Sequence, residues 1–395
     1  MAKKVQEGED KHKKSIALKA TTKEKEDVET LYKDSLLLLQ TLIRTPSESG
    51  QECKTADLIH SFLSNRAITV NRVKNNIWTY NSFFSASKPT ILLNSHHDTV
   101  KPNAGYTRDP FEAIIKQETL YGLGANDAGG CLVSMIATFL YYYDQPDLPF
   151  NLCFAATAEE ENSGENGIHL VLDHLGSIAF ALIGEPTGMQ MAIAEKGNMV
   201  LDCVVYGKAG HAAREEGDNA IYKALKDIQW FEQYRFAKHC KFLGPIKMTV
   251  TQMDGGVQHN VIPAVCHFTV DIRLTSAYTV EEILDIIKSN ISGDVSVRAG
   301  IMKPSSISMS HPVVKAGLAL GLKTYTSPTC SDQGWLDIPS LKMGPGDSAR
   351  SHMADEYIYT WEIWEGIKGY ITLLDTLLPF LLNNPTKQLT EQTFD

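Results

Sequence analysis

Thr90-Ile-Leu-Leu-Asn-Ser-His96-His97-Asp98-Thr-Val100 is the stretch on which the fold turns. Its first six residues form a short, largely apolar run without alternation, as expected of a strand covered on both faces. The run then delivers two imidazoles and a carboxylate at the strand's end. Residues two apart on an extended chain project to the same side. His96 and Asp98 therefore share a side, where Asp98 can accept a hydrogen bond from the His96 ring, fix its tautomer and raise its basicity. His97 points the other way and is not a ligand candidate. By itself the same triplet also suits a surface turn after a strand.

Outward from this stretch the pattern repeats. NLCFAATA (Asn151–Ala158) and AFALIG (Ala179–Gly184) are further buried-strand runs, and GCLVSMIATFLYYY (Gly130–Tyr143) is apolar enough for a buried helix. On the N-terminal side, VETLYKDSLLLLQTLIR carries apolar residues at helical spacing and stops before Thr45-Pro46. Ser49-Gly50-Gln51-Glu52 has the form of a capping box opening a second helix to about Asn65. Strands alternating with helices imply an α/β domain with a mostly parallel sheet flanked by helices.

From Met199 the pattern changes. In AVCHFTVDIRL, Cys266, Phe268, Val270 and Ile272 fall on one face and His267, Thr269, Asp271 and Arg273 on the other. Such period-two alternation marks a sheet with one open face. About four strands and two helices, near 219–236 and 280–290, imply an α+β sandwich inserted into the first domain. The expected boundaries are 28–198 and 304–395 for the α/β domain and 199–303 for the insert. The first 27 residues hold eight lysines and six acids and no aromatic residue. They read as a flexible extension without a secretory core.

Composition narrows the function classes. The 395 residues carry a formal net charge of −10 and no basic stripe, which argues against nucleic acid. No apolar stretch reaches the ~18 residues of a membrane span. Seven cysteines, none in a CxxC pair, argue against a thiolate zinc site and a secreted disulfide framework. These features fit a cytoplasmic protein.

Four more segments bring metal-type ligands to strand ends or glycine turns. They are Asp127 in GLGANDAGG, the run Glu159-Glu160-Glu161, Glu185 after AFALIG, and His352 in ARSHMADE. Singly each has an ordinary alternative. Asp127 suits a helix N-cap, and an acidic run suits a solvated loop. Jointly they converge, because open α/β sheets bind ligands at the carboxyl ends of their parallel strands. Imidazoles and carboxylates together suit a pair of divalent metals.

The series SHHDTV, YGLGANDAGG, TAEEENSG, IGEPT and SHMADE resembles the dinuclear zinc deacylases and peptidases that include acetylornithine deacetylase, succinyl-diaminopimelate desuccinylase, aminoacylase and glutamate carboxypeptidase. The resemblance runs from about Val28 to Leu382. It is strongest to the acetylornithine deacetylase branch in AIAEKG, GKAGHAAREEGDNAIY and GPG–SHMADEY. It implies two zinc ions, with cobalt or manganese as substitutes. His96, Asp127 and Glu185 would hold one metal, and Asp127, Glu161 and His352 the other. It makes Glu160 the general base, with Glu159 neither base nor ligand, and Asp98 the residue that orients His96. His211 would stabilise the oxyanion, often across a dimer, while Asn260 and Arg273 hold the substrate carboxylate. The insert would be a lid and homodimerisation module, and the Asp127–Ala128 peptide would be cis.

Two departures from the family stand out. GLGANDAGG lacks the arginine usual after the first glycine and the lysine usual shortly after the aspartate. A third acid, Glu159, replaces the commoner aspartate. The implied activity is hydrolysis of an N-acyl amino acid, N-acetylornithine first, in arginine biosynthesis, with N-acetylcitrulline, N-succinylornithine and N-succinyl-diaminopimelate close behind. The alternatives are a dipeptidase or carboxypeptidase on the same scaffold, and a non-catalytic amino-acid-binding protein.

Overall fold

The computed structural model describes residues 27–383. The N-terminal extension expected over residues 1–27 lies outside them, apart from Asp27. A nine-stranded sheet forms the larger body. Its centre is parallel. Thr90–His96 pairs with Asn151–Thr157 on one side and with Phe180–Ile183 on the other, and Ser340–Lys342 adds in parallel to Phe180–Ile183. The flanks are antiparallel, with Asn71–Val73 and Asn76–Tyr80 at one edge and Ser305–Ser306 near the other. Every residue of Thr90–His96 and Asn151–Thr157 is buried, the burial anticipated from their unalternating sequences.

Helices close both faces. Gly130–Tyr142 is apolar on all sides and buried almost throughout. It lies between Val28–Ile43 and the long C-terminal helix Thr360–Asn383. Phe139 meets Phe154 of the sheet with ring centroids 6.1 Å apart. Truncating a ring so buried costs about 3–5 kcal/mol.

The expected capping box at Ser49–Glu52 does not form. The helix starts at Cys53, and its N-cap, Glu52, makes no side-chain capping bond. The Glu52 carboxylate is fully buried and accepts the Gly50 N–H, Asn75 Nδ2 at 2.9 Å and the Glu159 N–H at 3.3 Å. Partners from distant segments outcompete the local cap, because a buried carboxylate without several donors is too costly.

The second body is a four-stranded antiparallel sheet. Its order is Lys247–Gly255, Val265–Leu274, Gly197–Tyr206, Asp294–Val297, backed by helices Ala220–Gln233 and Val280–Lys288. Cys266, Phe268, Val270 and Ile272 enter its core with Phe231 and Ile283. Thr279 and Glu282 form a capping box at the second helix. At the crossing between bodies, Asn198 and Met302 form an antiparallel bridge. A Cβ on Gly197 would lie 2.2 Å from the Met302 carbonyl oxygen, so only glycine fits this crossing.

Candidate metal and catalytic site

The parallel register assembles the site. His96 is the last residue of its strand and lies opposite Thr157, so the Glu159–Glu161 run begins two residues beyond it. Asn94 lies opposite Ile183, which puts Glu185 two residues past the neighbouring strand's end. Three adjacent strands thus release their ligand residues at one edge, as expected for an open α/β sheet.

His96 is 1% exposed. Its Nδ1 lies 3.0 Å from the Asp98 carbonyl oxygen and 3.4 Å from Asp98 Oδ1. With Nδ1 committed there, Nε2 faces Asp127 Oδ1 at 3.4 Å and Glu185 Oε1 at 3.6 Å. The other Asp127 oxygen, Oδ2, is 3.6 Å from His352 Nε2, which in turn is 2.9 Å from Glu161 Oε2. One aspartate therefore presents its two oxygens to two imidazoles, each with a glutamate alongside. Ligand atoms of His96, Asp127 and Glu161 lie within 4.8 Å of one another, as do those of His96, Glu160 and Glu185. Glu160 thus sits as close to His96 and Glu185 as a ligand does, and proximity alone does not separate a base from a ligand.

The electrostatics fit cations. Burial and the nearby Asp127 push Glu185 up to about 8. Burial, together with Glu185 and Glu161, raises Glu160 well above the usual carboxylate range, although His96 opposes the shift. The Glu161 hydrogen bond lifts His352 to about 9 against the opposing effect of burial. Burial opposes protonation of His96, but hydrogen bonds to Asp127 and Asp98 more than offset it. So many buried carboxylates need protons or divalent cations for neutrality. The donors are nitrogen and oxygen only, since the nearby Cys131 thiol donates instead to the Pro345 carbonyl at 3.2 Å. This donor set fits a pair of zinc-like ions.

Several supports were not evident in the sequence. Asp98 does more than orient His96. Its oxygens accept the Ser49 hydroxyl at 2.6 Å and the Glu160 and Glu161 N–H groups at 3.1 Å each, pinning the acidic turn. Glu159 turns away to accept bonds from Asn166. Glu356 accepts N–H bonds from Gly124, Asn126 and Asp127 at 2.8–2.9 Å and so fixes the loop carrying Asp127. The only sequence signal for it was the acid pair after His352. Asp127 is not the N-cap of the next helix, a position that falls to Gly129, and the Asp127–Ala128 peptide is cis. Leu123 fills the position of the family's arginine and is buried. A Cβ on Gly129, two residues after the aspartate, would lie 2.4 Å from the Gly124 carbonyl oxygen.

A buried cation lies nearby. Lys342 Nζ is 3.0 Å from Glu195 Oε2, with both side chains almost fully enclosed. His97, as expected, faces away from the site, toward the Thr55 hydroxyl and the Asn75 carbonyl.

The insert's candidates are placed differently. His211 lies on a short exposed strand paired with Val261–Ile262, where the Ala212 N–H donates to the Asn260 carbonyl at 3.0 Å. Within one chain these two residues adjoin each other on the insert, and His211 belongs to neither group of ligand atoms. Arg273 reaches the larger body, touching Cys330 Sγ at 3.4 Å.

Residues 92–376 match the model of peptidase family M20/M25/M40. The chain is 29% identical to an acetylornithine deacetylase of Proteus mirabilis over 355 residues, covering 81% of this chain and 91% of that protein. It is 24% identical to a probable carboxypeptidase of Ajellomyces capsulatus, covering 91% of each. The M20 family metallo-carboxypeptidase of Sulfolobus solfataricus superposes with a TM-score of 0.72 at 16% identity, covering 88% of this chain and 100% of that one. The last likeness concerns the fold alone.

Proposed function

Because the chain belongs to peptidase family M20/M25/M40, we propose that it is a metal-dependent hydrolase that cleaves the amide bond of an N-acyl amino acid. The products are a carboxylate and a free α-amine. N-acetylornithine is the leading substrate, with N-acetylcitrulline and N-succinylornithine next, which would put the enzyme in arginine biosynthesis. The acetylornithine deacetylases among its relatives support this choice.

In this reading His96, Asp127 and Glu185 would hold one zinc, and His352, Asp127 and Glu161 the other. When bound, the pair supplies an activated water and polarises the amide carbonyl. Glu160 accepts a proton from the attacking water and delivers it to the departing amine. Burial suits Glu160 to the second half of that task, because it stabilises the protonated carboxyl. Asp98 holds the His96 ring and the backbone of the acidic turn, so ligand and base keep one mutual geometry. His211 donates to the oxyanion. Arg273 holds the α-carboxylate, with Asn260 beside it. The exposure of the strand bearing His211 supports delivery of His211 and Asn260 from the partner protomer of a homodimer formed through the insert.

The observation that carries this reading is the strand-end cluster in which Asp127 faces both imidazoles and Glu160 lies beside His96 and Glu185. A turnover screen of N-acyl amino acids on zinc-loaded protein tests it, with acyl group and side chain varied separately. Hydrolysis of N-acetylornithine or a close analogue, in preference to Gly-Leu, is the expected result. The second reading, a carboxypeptidase or dipeptidase, draws on the carboxypeptidase relative and requires the reverse preference.

A further inference from the structure

Arg273 awaits a substrate carboxylate in the proposed function, yet one edge of its guanidinium is already taken. Nε donates to Asp271 Oδ1 at 2.8 Å and Nη2 to Asp271 Oδ2 at 3.0 Å. This is the two-point fork by which arginine binds carboxylates. The two residues stand two apart on the strand Val265–Leu274, so they share its open face while Ile272 between them enters the core. On the third side, Nη1 reaches Cys330 Sγ at 3.4 Å, across the gap between the bodies.

The turn that receives Nη1 is itself anchored. Thr329 accepts from Lys342 Nζ at 3.1 Å through its hydroxyl, and Ser331 donates to Glu195 from both its N–H and its hydroxyl. Asp332 accepts the Thr157 hydroxyl at 2.6 Å, at the end of the strand that leads to Glu160. Arg273 is thus clamped between its own strand and a turn tied to the floor of the catalytic site.

A guanidinium has five N–H donors. Asp271 uses two and Cys330 one, which leaves one on each terminal nitrogen for a second carboxylate. The same-strand spacing keeps Asp271 on the Nε/Nη2 edge and off the rest of the group. We propose that Asp271 is a positioning residue. It holds the Arg273 guanidinium in the plane and direction from which the remaining donors bind the α-carboxylate of the substrate. This rests on the assignment of Arg273 in the proposed function. Without Asp271 the long side chain samples many rotamers and must be ordered by each incoming substrate, a cost that pre-organisation removes.

The test compares Asp271→Ala, Asp271→Asn and Arg273→Ala on the zinc-loaded full chain. The substrates are N-acetylornithine and its α-carboxamide, with metal content and thermal melting measured for each variant. Asp271→Ala is expected to raise KM for the carboxylate substrate about tenfold with little change in kcat, and to leave the carboxamide unaffected. Asp271→Asn should act in the same direction, because its amide N–H groups face the Arg273 donors. Arg273→Ala should erase the preference for carboxylate over carboxamide. If Arg273→Ala erases it while Asp271→Ala leaves KM unchanged, or lowers it as a competing carboxylate would, the positioning role is overturned. Equal losses on both substrates mean a structural role only and overturn it too. If Arg273→Ala leaves the preference intact, or wild type turns over neither compound, the assignment beneath the proposal fails and the proposal with it.

Discussion

The parallel strand ends and the insert both carry candidate functional residues, but they assemble them in opposite ways. At the strand ends, one register places His96, the acidic run and Glu185 side by side. The backbone beneath them is buried, and Asp98 and Glu356 fix the loops through N–H bonds. The insert carries the candidates His211, on a short strand where its side chain is exposed, and Arg273, near the end of another. The candidate chemistry is thus built into one sheet, whereas in the proposed function the hold on the substrate depends on how the insert meets that sheet. Perturbing the first region should abolish turnover. Perturbing the second should tune it.

The largest effect should come from the metals. Chelation should reduce activity to background, and added zinc should restore it, as followed by turnover against measured metal content. Next comes Glu160→Gln, with an expected loss of about 10²–10⁴-fold in kcat while metal stoichiometry is retained. His211→Ala should cost about 10²–10³-fold in kcat, again without loss of metal. Mixing His211→Ala with the inactive Glu160→Gln protein sharpens the comparison. If His211 acts across a dimer, mixed dimers recover part of the activity. If it acts within its own chain, they recover none.

Asp98→Asn should weaken metal affinity or activity about 10–100-fold, read by calorimetry and turnover. The smallest effect concerns stability against pH. Burial holds Glu185 and Glu356 near 8 in the folded chain, well above their ordinary values. Between about 4.5 and 8 the folded state then binds more protons than the unfolded one, so stability falls as pH rises across that window. Metal-free protein should therefore melt lower at pH 8 than at pH 5. Zinc should narrow the gap, because it takes over from the protons at Glu185. A melting temperature of metal-free protein that rises over this window contradicts the burial assigned to these carboxylates.

Much of the strand-end region was legible in the sequence because local pattern and position coincide there. Buried runs such as TILLNS end where their ligands begin, and the alternation in AVCHFTVDIRL marked the insert's open face. What stayed hidden depends on long-range topology. Glu356 supports Asp127 across more than two hundred residues, and the acid pair after His352 does not announce that partner. Glu52 looked like half of a capping box until the fold brought Asn75 and Glu159 to it. Lys342 and Glu195 pair only because their strands become neighbours. Asp271 was visible as a residue on the open face, but its grip on Arg273 was not.

The central claim is that the strand-end cluster is a metal-dependent amidohydrolase centre with Glu160 as its base. It is tested most directly by measuring kcat/KM for N-acetylornithine and Gly-Leu on zinc-loaded wild type and Glu160→Gln, with bound metal quantified in each. The predicted result is preferential hydrolysis of the N-acyl amino acid by wild type, and at least about a hundredfold loss in the variant at unchanged metal content. Metal-loaded wild type that hydrolyses neither compound, or a Glu160→Gln protein that keeps full activity, would contradict it.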